Sequence, residues 1–290
     1  MSYALVIHGG AGAQPGTDYA RQSAHMERLI TEGQKMLLDG QDALSVVAEI
    51  VAELEGSGLY VAGKGAAPNL AGSFELDASI MQGRDQRAGA VAAIEGIKHP
   101  ILAARSVLED GRHVMLAGQG ALDMARAAGL AEVSDPLSYY SEHVSHGSAD
   151  STGHGTVGAV ALDLQGGLAA GTSTGGTFNK LAGRIGDTPL IGAGTWADGH
   201  VAISCTGVGE AFIRSAAAHD VSARMRYGGR SVNEAAREVL AEVHKCGGDG
   251  GLIAVDASGR IAMPYNSDGM KRAAVSSQMA PVVRVFEPEP

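Results

Sequence analysis

The sequence predicts an α+β fold in which antiparallel sheets are covered by helices. Two hairpin-like units, residues 158–174 and 251–264, each place a glycine-containing turn between two apolar runs. Helical periodicity recurs in both halves of the chain, yet neither half shows a complete alternating series of strand, helix and strand. We therefore predict a single domain over residues 1–290, with both halves contributing to one core, rather than a doubly wound parallel sheet.

The first half begins with an apolar run at residues 4–7, which predicts a buried strand that enters a glycine turn at residues 8–13. This turn lacks the GxGxxG spacing, and Pro15 follows where a helix would have to open, so a dinucleotide site is disfavoured. Apolar residues at helical spacing then predict helices in both halves of the chain. The predicted helices cover residues 26–37, 44–54, 100–108, 120–128, 210–219 and 232–243.

The composition excludes several classes of function. A formal net charge of −10 disfavours nucleic acid as a partner, and no window approaches the roughly 18 uncharged apolar residues that predict a membrane span. Residues 1–8 lack a basic region, so we expect no secretory signal and a cytoplasmic protein. Cys205 and Cys246 are too few for a disulfide framework, and a role as nucleophile is disfavoured for either of them.

Residues 137–155 form a polar segment that is rich in Ser, Gly and His and lacks periodicity, so we predict a linker. A clean strand pattern begins directly after it, at residues 156–163. A flexible segment that runs straight into a central strand is typical of a processing site. The three histidines of the segment, His143, His146 and His154, have a spacing that zinc could use, although a solvated linker is the simpler interpretation.

The Gly155–Thr156 pair could supply the chemistry of such a processing site. A cut between the two residues would give Thr156 both a hydroxyl and a free α-amine. Because the unperturbed pKa of an α-amine is roughly 7.7–8, a neutral fraction can accept the hydroxyl proton, so one residue acts as nucleophile and base. Gly155 would let the uncut backbone take a strained shape. Taken alone, the pair also fits a threonine at the start of a strand.

Several glycine-rich motifs follow one another along the chain. They are VIHGGAG (6–12), ELDA (75–78), GTVGAVALD (155–163), TSTGG (172–176), GRIGD (183–187), IGAG (191–194), SCTG (204–207), GE (209–210), GG (247–248) and GGL (250–252). Over nearly its whole length the chain resembles the plant-type L-asparaginase and isoaspartyl aminopeptidase family of N-terminal-nucleophile hydrolases. The resemblance implies a four-layer αββα sandwich, two antiparallel sheets between helices. It also implies autocleavage into an α-chain (1–155) and a β-chain (156–290), and hydrolysis of β-aspartyl amide bonds in isoaspartyl dipeptides and L-asparagine.

The resemblance implies roles for four catalytic residues. Thr156 would be the nucleophile, and Thr174 would lie beside it and bind its hydroxyl or its new amine. Thr206 and Gly207 would form the oxyanion hole, with a hydroxyl and a backbone N–H that stabilise the negative charge of the tetrahedral intermediate.

The resemblance also implies a substrate-binding set around two charged residues. Arg184 would bind the substrate α-carboxylate, a task that suits its planar fork, and Asp187 would bind the α-ammonium. From their spacing alone these two residues could instead form a surface ion pair. The neighbouring residues that complete the expected set with Thr206 and Gly207 are Ile185, Gly186, Val208 and Gly209.

No cofactor is expected for catalysis, but the resemblance implies a structural sodium ion held by backbone carbonyls. The matching residues are Leu54, Glu55, Ser57, Tyr60, Ala62 and Lys64. In the same loop many family members have asparagine, close to the nucleophile, where this chain has Val61. The change leaves open how the Thr156 amine is held, and Asn69 is a candidate to compensate.

Two rival functions stay open at this point. A glycosylasparaginase, which cleaves the amide between asparagine and a sugar, is disfavoured because no secretory signal is predicted. A catalytically inactive member that binds amino acids is disfavoured because Thr156, Arg184, Asp187 and Thr206 are all present. For the active enzyme, the resemblance implies a small-molecule or dipeptide substrate and assembly as a dimer of αβ heterodimers.

Overall fold

The computed structural model describes residues 2–140 and 154–286, without the side chain of His154. In chain order, residues 2–140 form β1 (Ala4–Ala11), α1 (Ala20–Leu38), α2 (Ala43–Gly56), a 3-10 turn (Gly63–Gly65), β2 (Leu76–Gln82), β3 (Ala88–Ile94), α3 (Pro100–Asp110), β4 (Met115–Ala117), α4 (Gly118–Ala127) and α5 (Pro136–Tyr139). Residues 154–286 form β5 (His154–Leu162), β6 (Leu168–Thr177), β7 (Thr195–Ala197), β8 (Val201–Gly207), α6 (Gly209–Ser215), α7 (Ala217–Gly228), α8 (Val232–Lys245), β9 (Gly250–Asp256), β10 (Ile261–Ala262), β11 (Met270–Ser276) and β12 (Met279–Arg284).

The strands form two sheets. One has the strand order β12-β11-β1-β5-β6-β2-β3-β4, and the other has the order β10-β9-β8-β7. Neighbouring strands are antiparallel except β3 and β4, which are parallel because α3 connects them as a crossover. The prediction of antiparallel sheets is therefore wrong at this one edge. At the centre of the large sheet, β1 lies between β11 and β5, so strands from both ends and the middle of the chain are neighbours.

Helices cover the outer faces of both sheets and give four layers. On β1, Leu5 and Ile7 point into the core beneath α1–α4, whereas Val6 points into the layer between the sheets, where Val255 of β9 also lies. Phe212 belongs to a third core, between the small sheet and α6–α8. Alternate residues of a central strand thus point into two different cores. Both faces of these strands are buried, so their sequences are continuous apolar runs. The predicted αββα sandwich is confirmed.

Local sequence signals explain several helix ends. Asp42 caps α2 by accepting a hydrogen bond from the Ser45 backbone N–H, and Ser231 and Glu234 form a reciprocal capping box at the start of α8. Gly111 ends α3 in the left-handed conformation, with φ of 70°. Within the described ranges, no helix has the length and apolar character needed to cross a membrane.

Two predicted boundaries are corrected by the structure. The first strand does not end before His8 but continues to Ala11, with an irregularity in its pairing to β11 between these two residues and a positive φ of 97° at Gly10. The helix predicted over residues 210–219 is divided into α6 and α7 at Ala216, whose φ of 48° is left-handed. A left-handed residue cannot continue an α-helix, so the chain changes direction there.

The predicted linker at residues 137–155 overlaps ordered structure at both ends. Helix α5 runs to Tyr139, and Tyr140 is buried, with its ring stacked on Phe74 at a centroid distance of 3.9 Å. Strand β5 begins at His154. The central part of the predicted linker, with His143 and His146, lies outside the described residues.

Candidate active site

Thr156 lies near the start of β5, between β1 and β6 at the centre of the large sheet. It is directly opposite Thr174 of β6, and its hydroxyl donates a hydrogen bond to Thr174 Oγ1 over 3.3 Å. Thr174 Oγ1 also accepts from the backbone N–H of Gly176 at 3.0 Å, which fixes its position. Both threonines are largely buried. The hydrogen bond therefore holds Thr156, the candidate nucleophile, in one orientation. The stiffness of its β-branched side chain favours the same result.

The backbone around Gly155 is closely packed. Gly10 lies on one side, where a β-carbon would come within 3.0 Å of the Gly155 Cα. The side chain of Val61 lies on another side of Gly155, and the Val61 carbonyl accepts a hydrogen bond from the Gly175 N–H at 2.8 Å. The departure from the family pattern at Val61 therefore lies directly against the Gly155–Thr156 junction. Asn69 is used elsewhere, because its amide group binds Ser73 and Glu75.

Thr206 and Gly207 end β8, the strand of the small sheet that packs against β5. Thr206 is fully buried, and its Oγ1 accepts from the Ala11 N–H at 3.1 Å, so its hydroxyl proton can be donated elsewhere. Gly207 has φ of 148°, and a β-carbon there would collide with the backbone of Asp249 and Gly250. Only glycine fits this position, which leaves its backbone open toward the cleft that Gly207 helps to line.

Arg184 makes a two-point ion pair with Glu210, at the start of α6. Its Nε and Nη2 atoms donate to the two carboxylate oxygens, each over 2.9 Å. Arg184 thus pairs with a carboxylate 26 residues away rather than with Asp187 in a surface ion pair. The two bonds leave three of the five guanidinium N–H groups for another acceptor. A β-carbon on Gly186 would lie 2.8 Å from Nη1, so glycine at this position keeps that side of the fork accessible.

Asp187 is 4% exposed, and burial raises the pKa of its carboxyl group to about 7 against the opposing effect of the Arg184 charge. Its Oδ2 has no hydrogen-bond partner among the described residues. Gly209 packs against both charged groups, since a β-carbon there would lie 2.9 Å from Asp187 Oδ1 and 3.0 Å from Arg184 Nη2. Asp187 Oδ2 therefore lies, without a partner in the described part of the chain, close to the N–H groups of Arg184 that Glu210 leaves available. The two side chains can bind a group that carries both an ammonium and a carboxylate.

A narrow cleft joins the two ends of this arrangement. Its lining contains Gly155, Thr156, Thr174, Gly176, Thr177, Arg184, Gly186, Asp187, Thr188 and Gly207. Of the predicted site residues, Thr206, Val208, Gly209 and Ile185 are not part of this lining, and Ile185 is 37% exposed. Gly176, Thr177, Thr188 and Glu210 were not assigned a role from the sequence, although each lies in or beside a motif that carried the resemblance.

Two further charged residues, Asp77 of the ELDA motif and Lys180, lie close to Thr174. Asp77 lies opposite Thr174 in the β2–β6 ladder, and burial raises its pKa to about 6. Its Oδ1 accepts from the N–H of Ala93, which has a left-handed φ of 46°. Lys180 is also buried, and its ammonium donates to the carbonyls of Glu75 at 2.6 Å and Gly175 at 3.0 Å. These contacts fix the end of β6, where Thr174 lies.

The loop expected to hold sodium turns tightly after α2. The Leu54 carbonyl accepts from the Ser57 hydroxyl at 2.8 Å, and the Tyr60 carbonyl accepts from the Ala62 N–H at 2.8 Å. A β-carbon on Gly63 would lie 2.6 Å from the Glu55 carbonyl oxygen, so this carbonyl faces the loop. Neutral carbonyl oxygens in a tight turn suit a hard monovalent cation, so these residues fit the expected group.

The Glu55 side chain has a separate structural task. It is fully buried, and its Oε1 accepts from the Ile101 N–H at 2.9 Å in the first turn of α3. His99 lies 3.4 Å from the other carboxylate oxygen, and this contact raises the pKa of the imidazole. Glu55 therefore caps α3 with its carboxylate, and the expected contact with sodium would use its backbone carbonyl.

Alternative chemistries find little support in the described part of the chain. No group of three or more His, Cys, Asp or Glu residues there could hold a metal ion, while a zinc site in the predicted linker would use groups outside the described residues. Burial raises the pKa of the Cys205 thiol, which disfavours the thiolate that a cysteine nucleophile needs. Cys246 is a free cysteine that is partly exposed.

Comparison with known proteins identifies the family. The family model described as asparaginase matches residues 1–284. The chain belongs to this family. It is 45% identical to an isoaspartyl peptidase of Salmonella typhimurium, with 93% of this chain and 94% of the relative covered. It is 44% identical to an isoaspartyl peptidase of Escherichia coli (93% and 91% covered) and 42% identical to a plant-type L-asparaginase of Pyrobaculum calidifontis (92% and 95% covered). The family predicted from the motifs is confirmed.

Proposed function

We propose that this protein is an amidohydrolase that cleaves β-aspartyl amide bonds, with Thr156 as its nucleophile after self-cleavage at Gly155–Thr156. The observation that carries the proposal is the cleft that joins Thr156 and Thr174 at one end to Arg184 and Asp187 at the other. Its relatives are named isoaspartyl peptidases and plant-type L-asparaginases, at up to 45% identity, which supports the same substrate class.

Self-cleavage would begin in the uncut chain. The Thr156 hydroxyl attacks the Gly155 carbonyl, the peptide nitrogen leaves as the new α-amine, and an ester joins Gly155 to Thr156. Water then hydrolyses this ester, which frees the Gly155 carboxylate and restores the hydroxyl. The products are an α-chain (1–155) and a β-chain (156–290). The close packing of Gly10 and Val61 around Gly155 supports this step, because it restricts the backbone at the bond that must react.

Substrate recognition would use the free end of an aspartyl group. The α-carboxylate binds the Arg184 N–H groups that Glu210 leaves free, and the α-ammonium binds Asp187, whose Oδ2 has no partner among the described residues. The two contacts recognise the carboxylate and the ammonium that are attached to one α-carbon, so they select an α-amino acid. They also direct its side-chain carbonyl along the cleft toward Thr156.

Hydrolysis would then proceed through an acyl-enzyme. The α-amine of Thr156 accepts the proton of its own hydroxyl as the oxygen attacks the β-carbonyl of the substrate. The Thr206 hydroxyl and the Gly207 N–H stabilise the oxyanion of the tetrahedral intermediate. The amide nitrogen takes a proton and leaves as ammonia or as the amine of an amino acid. Water attacks the remaining ester and releases aspartate.

We further propose the finer features that the resemblance implies. A sodium ion would order the loop without taking part in catalysis, and its ligands would be the carbonyls of Leu54, Glu55, Ser57, Tyr60, Ala62 and Lys64. The mature protein would be a dimer of αβ heterodimers, which sedimentation of processed material would test. A reducing, cytoplasmic setting fits the two free cysteines, Cys205 and Cys246.

Processing and turnover test the proposal together. The purified protein should resolve on a denaturing gel into two fragments instead of one band of 29.5 kDa. The smaller fragment should begin TVGAV by Edman sequencing. Thr156→Ala should remain one chain and hydrolyse nothing, while Thr156→Ser, which keeps a hydroxyl, is the matched variant for processing. Turnover by an uncut wild-type chain, or substantial activity in Thr156→Ala, would remove Thr156 from this role.

A substrate panel separates the rival functions. We expect hydrolysis of β-Asp-Leu and L-asparagine and none of GlcNAc-Asn. Preference for GlcNAc-Asn would establish a glycosylasparaginase instead. Calorimetric binding of aspartate without hydrolysis of any member of the panel would establish an inactive amino-acid-binding protein.

A further inference from the structure

A hydrogen-bonded chain of polar side chains crosses the layer between the two sheets. His8 Nε2 is 2.9 Å from Ser204 Oγ, which is 2.8 Å from Thr172 Oγ1. Thr195 Oγ1 donates to Thr172 Oγ1 over 2.5 Å, and Ser79 Oγ contacts Thr195 Oγ1 at 2.7 Å. All five residues are fully buried. The cleavage and binding steps proposed above use none of them.

The two ends of this hydrogen-bonded chain lie beside the strand of the nucleophile and beside the substrate-binding loop. His8 is paired with Gly158 of β5, two positions after Thr156, and burial lowers the pKa of its imidazole to about 3. At the other end, Ser79 Oγ donates to the Thr188 carbonyl over 2.6 Å, directly beside Asp187. Ser204 lies two residues before Thr206 on β8. The chain thus touches the strand of the nucleophile, the strand of the oxyanion hole and the substrate-binding loop.

The hydrogen bonds between these five side chains can all be oriented in one direction. His8 is neutral across the physiological pH range, so only one of its ring nitrogens carries a proton. If Thr195 donates to Thr172, Thr172 to Ser204 and Ser204 to Nε2, the single proton of Ser79 is shared between Thr195 Oγ1 and the Thr188 carbonyl, and the Gly194 carbonyl, 3.2 Å from Thr172 Oγ1, is a second acceptor for Thr172. The remaining imidazole proton is then on Nδ1, which has no hydrogen-bond partner among the described residues. Hydrogen bonds that align in this way strengthen one another.

Gly158 gives a second, independent observation. This residue lies on β5, two positions after Thr156, and a β-carbon there would be 2.5 Å from His8 Nε2 and would collide with Ser204 Oγ. The His8–Ser204 contact therefore requires glycine on the nucleophile strand. The hydrophobic core of this layer is built from alanine, valine, leucine, isoleucine and methionine, so close packing of the sheets does not by itself require five polar groups.

We propose that His8, Ser204, Thr172, Thr195 and Ser79 form a positioning relay for the reaction, and that its two ends serve different steps. The His8–Ser204 end holds Thr156 in line with the oxyanion hole, whereas the Ser79 end holds the Asp187 loop at the distance that the substrate needs. The relay does not touch the substrate. This inference rests on the proposed function, because it assigns the relay to the same site.

Variants at the two ends should separate kcat from KM. Ser204→Ala should lower kcat by about tenfold to a hundredfold on β-Asp-Leu, because small displacements of a nucleophile are costly, and should leave KM within about twofold. Ser79→Ala should raise KM by about tenfold with little change in kcat, since it loosens the loop that binds the α-ammonium. Thr172→Val should show both effects, and Thr172→Ser, which keeps the hydroxyl, should restore both parameters.

The control is Ser106→Ala, which removes a hydroxyl whose hydrogen bond within the described residues is to the Leu102 carbonyl of the same helix, α3. It should leave kcat and KM at wild-type values. The relay would be overturned if Ser204→Ala and Ser79→Ala changed kcat and KM in the same way. It would also be overturned if Thr172→Ser did not restore activity. A general loss of folded protein lowers the apparent kcat alone, so it cannot imitate the rise in KM expected for Ser79→Ala. For Ser204→Ala, kcat is calculated per folded and processed enzyme, which removes this effect.

Thermal unfolding tests the relay without reference to turnover. The double variant Ser204→Ala, Thr172→Val should lose less in unfolding midpoint than the sum of the two single losses, because the two hydroxyls bond to each other. Additive losses would overturn the relay even in an active enzyme. A wild-type protein that hydrolyses none of the β-aspartyl substrates would instead refute the proposed function, and the coupling in the unfolding experiment would still be measured.

Discussion

The side chain of Val61 packs against the α-carbon of Gly155, so that a β-carbon on Gly155 would lie 2.5 Å from Val61 Cγ2. The two residues are far apart in sequence, yet the Val61 side chain packs directly beside the peptide bond at which cleavage is proposed. A hydrocarbon at position 61 offers no hydrogen bond to the nearby Thr156. It acts on the junction by shape, and its effect can be measured.

We expect Gly155→Ala to slow self-cleavage and to lower the free energy of unfolding by about 1–3 kcal/mol, because the added methyl group overlaps Val61. Adding Val61→Ala should recover part of both losses. Fragment formation over time on denaturing gels and thermal melts of the uncut protein are the measurements.

The matched control for this steric argument is Gly120→Ala. Gly120 lies inside α4, and nothing lies within 4 Å of a β-carbon there, so alanine should stabilise the fold by about 0.5–1 kcal/mol. Wild-type processing rates in Gly155→Ala would show that the contact with Val61 does not constrain the junction.

Thr206→Val should lower kcat by about 10²–10³-fold, as the loss of an oxyanion donor does in other hydrolases. It should also lower the free energy of unfolding by about 1–3 kcal/mol, because the Ala11 N–H loses its buried acceptor. Thr206→Ser keeps the hydroxyl and should retain most of the activity. Steady-state kinetics with unchanged kcat in the valine variant would place the oxyanion elsewhere.

Arg184→Lys should raise KM by about tenfold to a hundredfold while self-cleavage proceeds normally, because an ammonium cannot reproduce two-point binding of a carboxylate. The Glu210→Gln variant tests whether the ion pair matters for the fold. Glu210 is 60% exposed, so the cost in stability should stay below about 1 kcal/mol. Failure of Arg184→Lys to process would mean that Arg184 is structural.

The pKa of about 7 at Asp187 predicts a pH dependence of binding. The carboxyl group must be ionised to bind the α-ammonium, so the affinity for aspartate should increase as pH rises from 6 to 8 and then level off. Calorimetric titration at several pH values would measure it. Affinity that does not change over this range would contradict the assigned role.

The same shift predicts an effect on stability. Between the unfolded pKa of 3.8 and the folded value of about 7, the folded protein binds more protons, so stability without ligand should fall as pH rises through this window. Asp187→Asn removes the ionisation. It should be more stable than wild type at pH 8, on the order of 1–3 kcal/mol, while substrate binding is lost. Denaturant melts at pH 5 and pH 8 would show the difference.

Much of the fold could be predicted because its signals are local. The helices α1, α2 and α8 follow from apolar residues at helical spacing, and the β5–β6 hairpin follows from a glycine turn between two apolar runs. The errors arose where tertiary contacts overrule local pattern. Pairing with β11 and β5 carries β1 through its glycines to Ala11, and the crossover helix α3 makes the β3–β4 edge parallel.

The sequence by itself determined the family, and through this resemblance the four layers and the candidate nucleophile, because motifs are properties of neighbouring residues. Only the tertiary structure decided that Glu210 pairs with Arg184, that Val61 packs on Gly155 and that His8 reaches Ser204. Each of these contacts joins residues that are distant in the chain. Their distances depend on how two sheets and two helix layers pack together, which no local pattern of side chains specifies.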